Sequence, residues 1–165
     1  MESHQKHIKD WIIAHYSGGG LDKPLRFTAA EAGASVCLNR LIYNNIDNTS
    51  EDWEGKLINL QHSLNGGTWS NYAFGTTVNL DKNGYIEFKA LRSNETVSKA
   101  SNNYYQFTIE KKVNASGNIQ SLLVEDSFKD KKDVLYSCYL SMFEGCTGLQ
   151  TAPDLPATIL ANYCY

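Results

Sequence analysis

The segment Tyr85-Ile86-Glu87-Phe88-Lys89-Ala90-Leu91 alternates apolar with polar side chains. A period of two suits a half-buried β-strand, whereas the buried face of a helix recurs every 3.6 residues. Turn signals precede it at Asn65-Gly66-Gly67 and Lys82-Asn83-Gly84, where Asn and Gly tolerate the positive φ that tight hairpins require. Similar segments lie on either side: Leu25–Thr28, Ser35–Leu41, Leu57–Leu64, Trp69–Tyr72, Thr76–Leu80, Tyr104–Ile109 and Ile119–Val124. The last two flank Asn114-Ala115-Ser116-Gly117-Asn118, which reads as a third hairpin. Short strands punctuated by Gly and Asn predict a mainly β chain with a β-sandwich over residues 21–128.

Residues 3–16 carry a different period. Ile8, Trp11, Ile12, His15 and Tyr16 fall on one face of a short amphipathic helix, with Ser3 as its N-cap and Ser17-Gly18-Gly19-Gly20 ending it. A helix this short is marginal alone in water, so its Trp11/Ile12 face must dock on something. Two readings stay open. The helix packs on its own domain, or residues 1–20 form an anchor and glycine tether, with Ile8, Trp11, Ile12 and Tyr16 gripping another subunit.

The 165 residues suffice for one domain plus appendages, and a net charge of −3 excludes the strongly basic class. The basic clusters are pairs, Lys111-Lys112 and Lys131-Lys132, which read as solvated charges and not as a phosphate track, so no nucleic-acid partner is expected. No run approaches the roughly 20 apolar residues of a membrane-spanning helix. Met1 to Gly20 lacks a basic segment followed by a continuous apolar stretch, so no secretory leader is expected there.

Beyond residue 128 the pattern changes again. Asp126 to Val134, rich in Lys and Asp, reads as a charged hinge, and Leu135–Phe143 as a short helical turn. Ala152-Pro153 and Leu155-Pro156 mark extended links. Cys138-Tyr139 recurs as Cys164-Tyr165, an offset of 26 residues, which is a period typical of solenoid repeats. A single repeat cannot bury its own apolar side. Leu149, Leu155, Leu160 and Tyr163 are therefore expected to form an apolar interface that a partner chain or a second copy covers.

The residues Cys138, Tyr139, Met142, Phe143, Gly145, Cys146, Thr147 and Leu149, then Ala152-Pro153, Leu155-Pro156-Ala157-Thr158 and Leu160 to Tyr165, resemble the BspA-type leucine-rich repeats of gut Bacteroides-like surface proteins. The order of strands and turns around Trp69-x-x-Tyr72 and Gly75-Thr76-Thr77 resembles the Ig-like β domain that often precedes such repeats. The resemblance implies an Ig-like sandwich followed by about one repeat over 129–165. It also implies a generic binding or surface scaffold in place of an enzyme.

The chemistry of the chain adds little to that. Cys37, Cys138, Cys146 and Cys164 contain no C-x-x-C pair, and buried free thiols fit better than a zinc site. Pairing of Cys164 with Cys138 or Cys146 stays open. His4 and His7 stand three apart without a third ligand, and His62 has no partner at a recognisable spacing. Glu51, Asp52 and Glu54 flank Trp53 in what reads as one solvated acidic turn and not a glycosidase pair. No nucleophile elbow, zinc-protease motif or phosphate loop is present, and no cofactor is expected. Trp53, Trp69, Tyr72, Tyr104 and Tyr105 are mostly expected in the sheets, with Trp69 and Tyr72 singled out as a pair that would stack on sugar rings.

These readings converge on a non-enzymatic structural or attachment protein. The leading expectation is a virion component of a bacteriophage infecting Bacteroides-like hosts, a head or tail fibre or a decoration protein, because virion proteins leave by lysis and need no leader. It would be oligomeric and bound to other virion proteins. The alternatives are a bacterial cell-surface adhesin and a carbohydrate-binding module recognising cell-surface glycan.

Overall fold

A computed structural model describes residues 20–49, 58–93, 103–134 and 138–158. The predicted helix of residues 3–16 with its anchor positions Ile8, Trp11, Ile12 and Tyr16, the acidic turn around Trp53, and Leu160, Tyr163 and Cys164 lie outside them.

The protein is mainly β. Ten strands form two sheets: β1 Leu25–Ala29, β2 Ala34–Ile42, β3 Asn45–Ile46, β4 Leu60–Leu64, β5 Ser70–Asn71, β6 Val78–Leu80, β7 Tyr85–Ala90, β8 Asn103–Glu110, β9 Val113–Ser116 and β10 Leu149–Thr151. The first sheet runs β10-β9-β1-β7-β4-β5. In the second, β8 pairs with β2 from Ser35 to Ile42, and β3 and β6 also pair with β2.

The alternation read from the sequence sets the faces. Leu25, Phe27, Ile86, Phe88 and Val113 of the first sheet and Val36, Leu38 and Phe107 of the second share one buried core. Phe27 and Phe107 bring the sheets together with ring centroids 4.7 Å apart. The hairpin at Asn65-Gly66 forms as expected, with φ of 50° and 73°, and Asn65 Oδ1 accepts the Tyr85 N–H at 2.8 Å. Asn83, at φ 66°, makes the turn into β7.

The expected strand Ile119–Val124 does not form. Ile119–Leu122 is a 3₁₀ turn, fully buried, because Asn118 Oδ1 accepts the Gln120 N–H at 2.9 Å and caps it. A short side chain bonding its own backbone two residues on competes directly with a sheet ladder. The expected third hairpin is likewise replaced: β8 belongs to the second sheet, β9 to the first, and Lys111, at φ 60°, turns the chain between them.

The repeat-like segment is built into this body. Residues 138–146 form successive tight turns in place of the expected helical turn, with Met142 N–H bonded to Tyr139 O and Cys146 N–H to Phe143 O. Met142 O accepts the Phe107 N–H of β8 at 2.8 Å. A few residues later, Leu149–Thr151 pairs in parallel with β9, and Gly148 O accepts the Val113 N–H at 3.0 Å. One segment thus bonds β8 of the second sheet and β9 of the first, and unpaired strand edges are a liability that folded proteins cover. Cys138, Tyr139, Met142 and Leu149 belong to the same core as the two sheets.

The charged stretch Asp126–Val134 is fastened. Phe128 and Val134 are buried, Phe128 O accepts from Asn118 Nδ2 at 3.2 Å, and Lys132 O accepts the Thr158 N–H at 2.8 Å. The core is therefore continuous across the boundary at 128/129. A short parallel ladder, Pro24 to Asn118 to Asp154, ties the entry to β1 to the residues that follow β9 and β10. Within it the Asp154 carboxylate is buried without a hydrogen-bond partner among the described residues. Its ladder neighbour Asn118 accepts the N–H two residues on, but Asp154 has Pro156 there, which carries none.

Candidate binding face

The outward face of the first sheet follows from period two. With Ile86, Phe88 and Ala90 in the core, Tyr85, Glu87 and Lys89 of β7 must point away from it. Cross-strand register sets Arg26 beside Glu87, Thr28 beside Tyr85, and Gln61 beside Lys89 and Asn71. Arg26 grips Glu87 Oε1 through Nη2 at 2.6 Å and Nε at 3.0 Å. The Arg26 guanidinium also lies 4.1 Å from the Tyr85 ring centroid. Lys89 Nζ sits 4.9 Å from the Trp69 ring centroid and 3.9 Å from Asp126 Oδ1. Two aromatic rings, each set by a cation, therefore flank the Arg26–Glu87 pair. A shallow hollow of about 200 Å³ adjoins Arg26, lined also by Lys23, Pro24, Ser116 and Gly117.

Trp69 and Tyr72 do not share this face. Tyr72 is 6% exposed, its ring packed edge-on against Phe88 at 5.1 Å, and its hydroxyl accepts the Leu38 N–H and donates to Thr76 O. An odd offset along an extended chain sends the two side chains to opposite sides, so Tyr72 cannot stack on a sugar. Tyr104 and Tyr105 are buried as well. The ring that accompanies Trp69 is Tyr85, whose alternation with Ile86 and Phe88 places it opposite the core.

Leu149 is buried and Leu155 half-buried against the core, so neither is left waiting for a partner chain as expected. Cys37 is a buried free thiol, Cys138 is buried, and Cys146, half-buried, donates to Phe107 O at 3.1 Å. Burial pushes the Cys146 thiol up to about 12 and the Tyr105 hydroxyl up to about 12, and raises Tyr72 as well. Such shifts keep these groups neutral and poorly nucleophilic. Among the described residues, no three or more His, Cys, Asp or Glu side chains gather to hold a metal ion, and no helix is long and apolar enough to cross a membrane.

No family model, no curated protein and no solved structure matches this chain.

Proposed function

We propose that the protein is a non-enzymatic attachment module: an Ig-like β-sandwich carrying a BspA-type repeat segment, displayed on a bacteriophage virion as a fibre or decoration component. The observation that carries this reading is the segment 138–151 bonded to both sheets at once. A repeat locked into the body by backbone hydrogen bonds and a shared core makes a stiff unit, as an appendage that holds a surface at a distance requires. The strongly shifted side chains are neutral and buried, which suits a scaffold better than acid–base or nucleophilic chemistry.

Mass spectrometry on gradient-purified virus particles and on washed cell envelopes from the source culture tests this. Recovery with particles at a fixed ratio to the capsid protein is the expected result. Recovery in envelopes would make it a bacterial adhesin instead. Recovery only in the soluble fraction would overturn attachment altogether.

A further inference from the structure

We propose that the outward face of the six-stranded sheet binds neutral polysaccharide, with Trp69 and Tyr85 as stacking rings and Gln61 and Arg26 as the polar contacts between them. The inference rests on the attachment reading for its purpose, but its chemistry comes from the face alone.

A sugar ring presents C–H groups on its flat sides and hydroxyls around its rim. The first pack on aromatic rings, and the second need amides and charged pairs that both donate and accept. This face offers both. Tyr85 and Lys89 lie four residues apart on one strand, so their Cα atoms are roughly 13 Å apart. Trp69 sits against Lys89 and Tyr85 against Arg26, which spreads the two rings over a span of several sugar units. The cation over each ring covers one side of it, so a sugar would stack on the opposite side, and it fixes the ring's orientation before any ligand arrives, which lowers the entropy lost on binding.

Charge selects the class of sugar. The Arg26 guanidinium is held by Glu87, whose side chain is only 10% exposed, and Lys89 faces Asp126. With Arg26 and Lys89 each facing a carboxylate, the two cations that set the rings give little to a polyanion. A neutral, hydroxyl-rich chain fits better than a sulfated or uronic one. The interleaved polar and charged groups also make a poor seat for an apolar protein surface.

The test is affinity electrophoresis of the full chain through gels containing β-1,3-glucan, xylan, mannan or pullulan, with dextran sulfate as the polyanion. Retardation by at least one neutral polysaccharide is expected, unchanged between low and high salt. Trp69→Ala and Tyr85→Ala should each weaken it about tenfold, the scale of one lost stacking contact. Trp69→Phe should retain most of it, which separates loss of the ring from loss of fold. Tyr43→Ala, at an exposed turn of the other sheet, should change nothing. The proposal is overturned if no neutral polysaccharide retards the chain, if only dextran sulfate does, or if the Trp69→Ala/Tyr85→Ala double variant binds undiminished. Any of these would leave the particle and envelope measurement untouched.

Discussion

Phe143 lies stacked on Phe107, with ring centroids 5.6 Å apart and planes 9° from parallel. Phe107 comes from β8, at the edge of the second sheet, and Phe143 from the repeat-like segment, so one ring pair spans the boundary at which the sequence suggests a hinge. Phe143 also approaches Phe27 at 6.4 Å, which extends the contact to the other sheet. Phe143→Ala should lower stability by about 2–3 kcal/mol, toward the low end for an aromatic truncation because Phe143 is half-buried. The midpoint of urea unfolding measures it, and a change below about 0.5 kcal/mol would mean the contact carries no load.

Two glycines with nearly the same backbone should respond very differently. Gly117 has φ 72° and Gly145 has φ 76°. A methyl at Gly117 would run into the backbone carbonyl of Pro24, whereas one at Gly145 meets nothing within 4 Å. Gly145→Ala should cost only the left-handed strain, about 1–2 kcal/mol. Gly117→Ala adds a clash with backbone that cannot move without breaking the Pro24–Asn118–Asp154 ladder, and should prevent the soluble fold. Equal melting temperatures for the two variants would contradict the close approach at Gly117.

Replacing Asp154 with Asn should stabilise the protein. Both carboxylate oxygens are buried without a hydrogen-bond partner among the described residues, and a buried carboxylate left without a partner is costly. Asp154→Asn keeps the shape and the backbone bond from Asp154 N–H to Gly117 O. Its melting temperature should rise by several degrees, the response to about 1 kcal/mol in a domain of this size. A fall would show that the carboxylate is bonded in solution.

Alkaline pH should unfold the chain in a defined window. Desolvation raises the Tyr105 hydroxyl from 10.0 to about 12, against the opposing Ile58 N–H bond and the Arg40 charge. Below pH 10 the hydroxyl is protonated folded and unfolded alike, so its contribution is fully present there. Between pH 10 and about 12 only the folded state keeps the proton, and stability falls by about 3 kcal/mol from this group. Tyr72, raised by the same cause, adds to the loss. Unfolding midpoints should be flat from pH 7 to about pH 9 and drop steeply above 10, and a decline that starts near neutrality would point to other groups.

Cys146 should resist alkylation in the native state at pH 8, although it is half-buried, because its thiol is held up to about 12 and the thiolate is the reactive form. Peptide mapping after iodoacetamide treatment checks this. Rapid labelling of Cys146 would mean that the thiol bond to Phe107 O is broken in solution.

The sheets were legible wherever a turn signal and a period-two run coincided, as at Asn65-Gly66, Asn83-Gly84 and β7. β2 was found as a strand, but its burial pattern was hidden. Ser35, Asn39 and Arg40 are buried along with its apolar residues, and the side chains of Asn48 and Thr108 bond Asn39 from outside the strand. The turn between β2 and β3 was missed because Tyr43 and Asn44 adopt φ of 49° and 65° without a glycine to announce them. Ile119–Val124 misled because its composition suits a strand, and only the Asn118 cap decides otherwise. The candidate face is half legible: Trp69 stands out in the sequence, but period alone gives no cross-strand register, so the pairing of Arg26 with Glu87 and Tyr85 is not readable there.

The union of the sheets with the 138–151 segment is tested most directly by the buried cysteines on each side of it, Cys37 in β2 and Cys138 at the start of the tight turns. Labelling both across a urea series, with quantitation by mass spectrometry, reports the free energy of opening at each. Coincident loss of protection at the global unfolding midpoint is the predicted result. Labelling of Cys138 at clearly lower urea than Cys37 would show that the repeat segment opens on its own and would contradict a single cooperative unit.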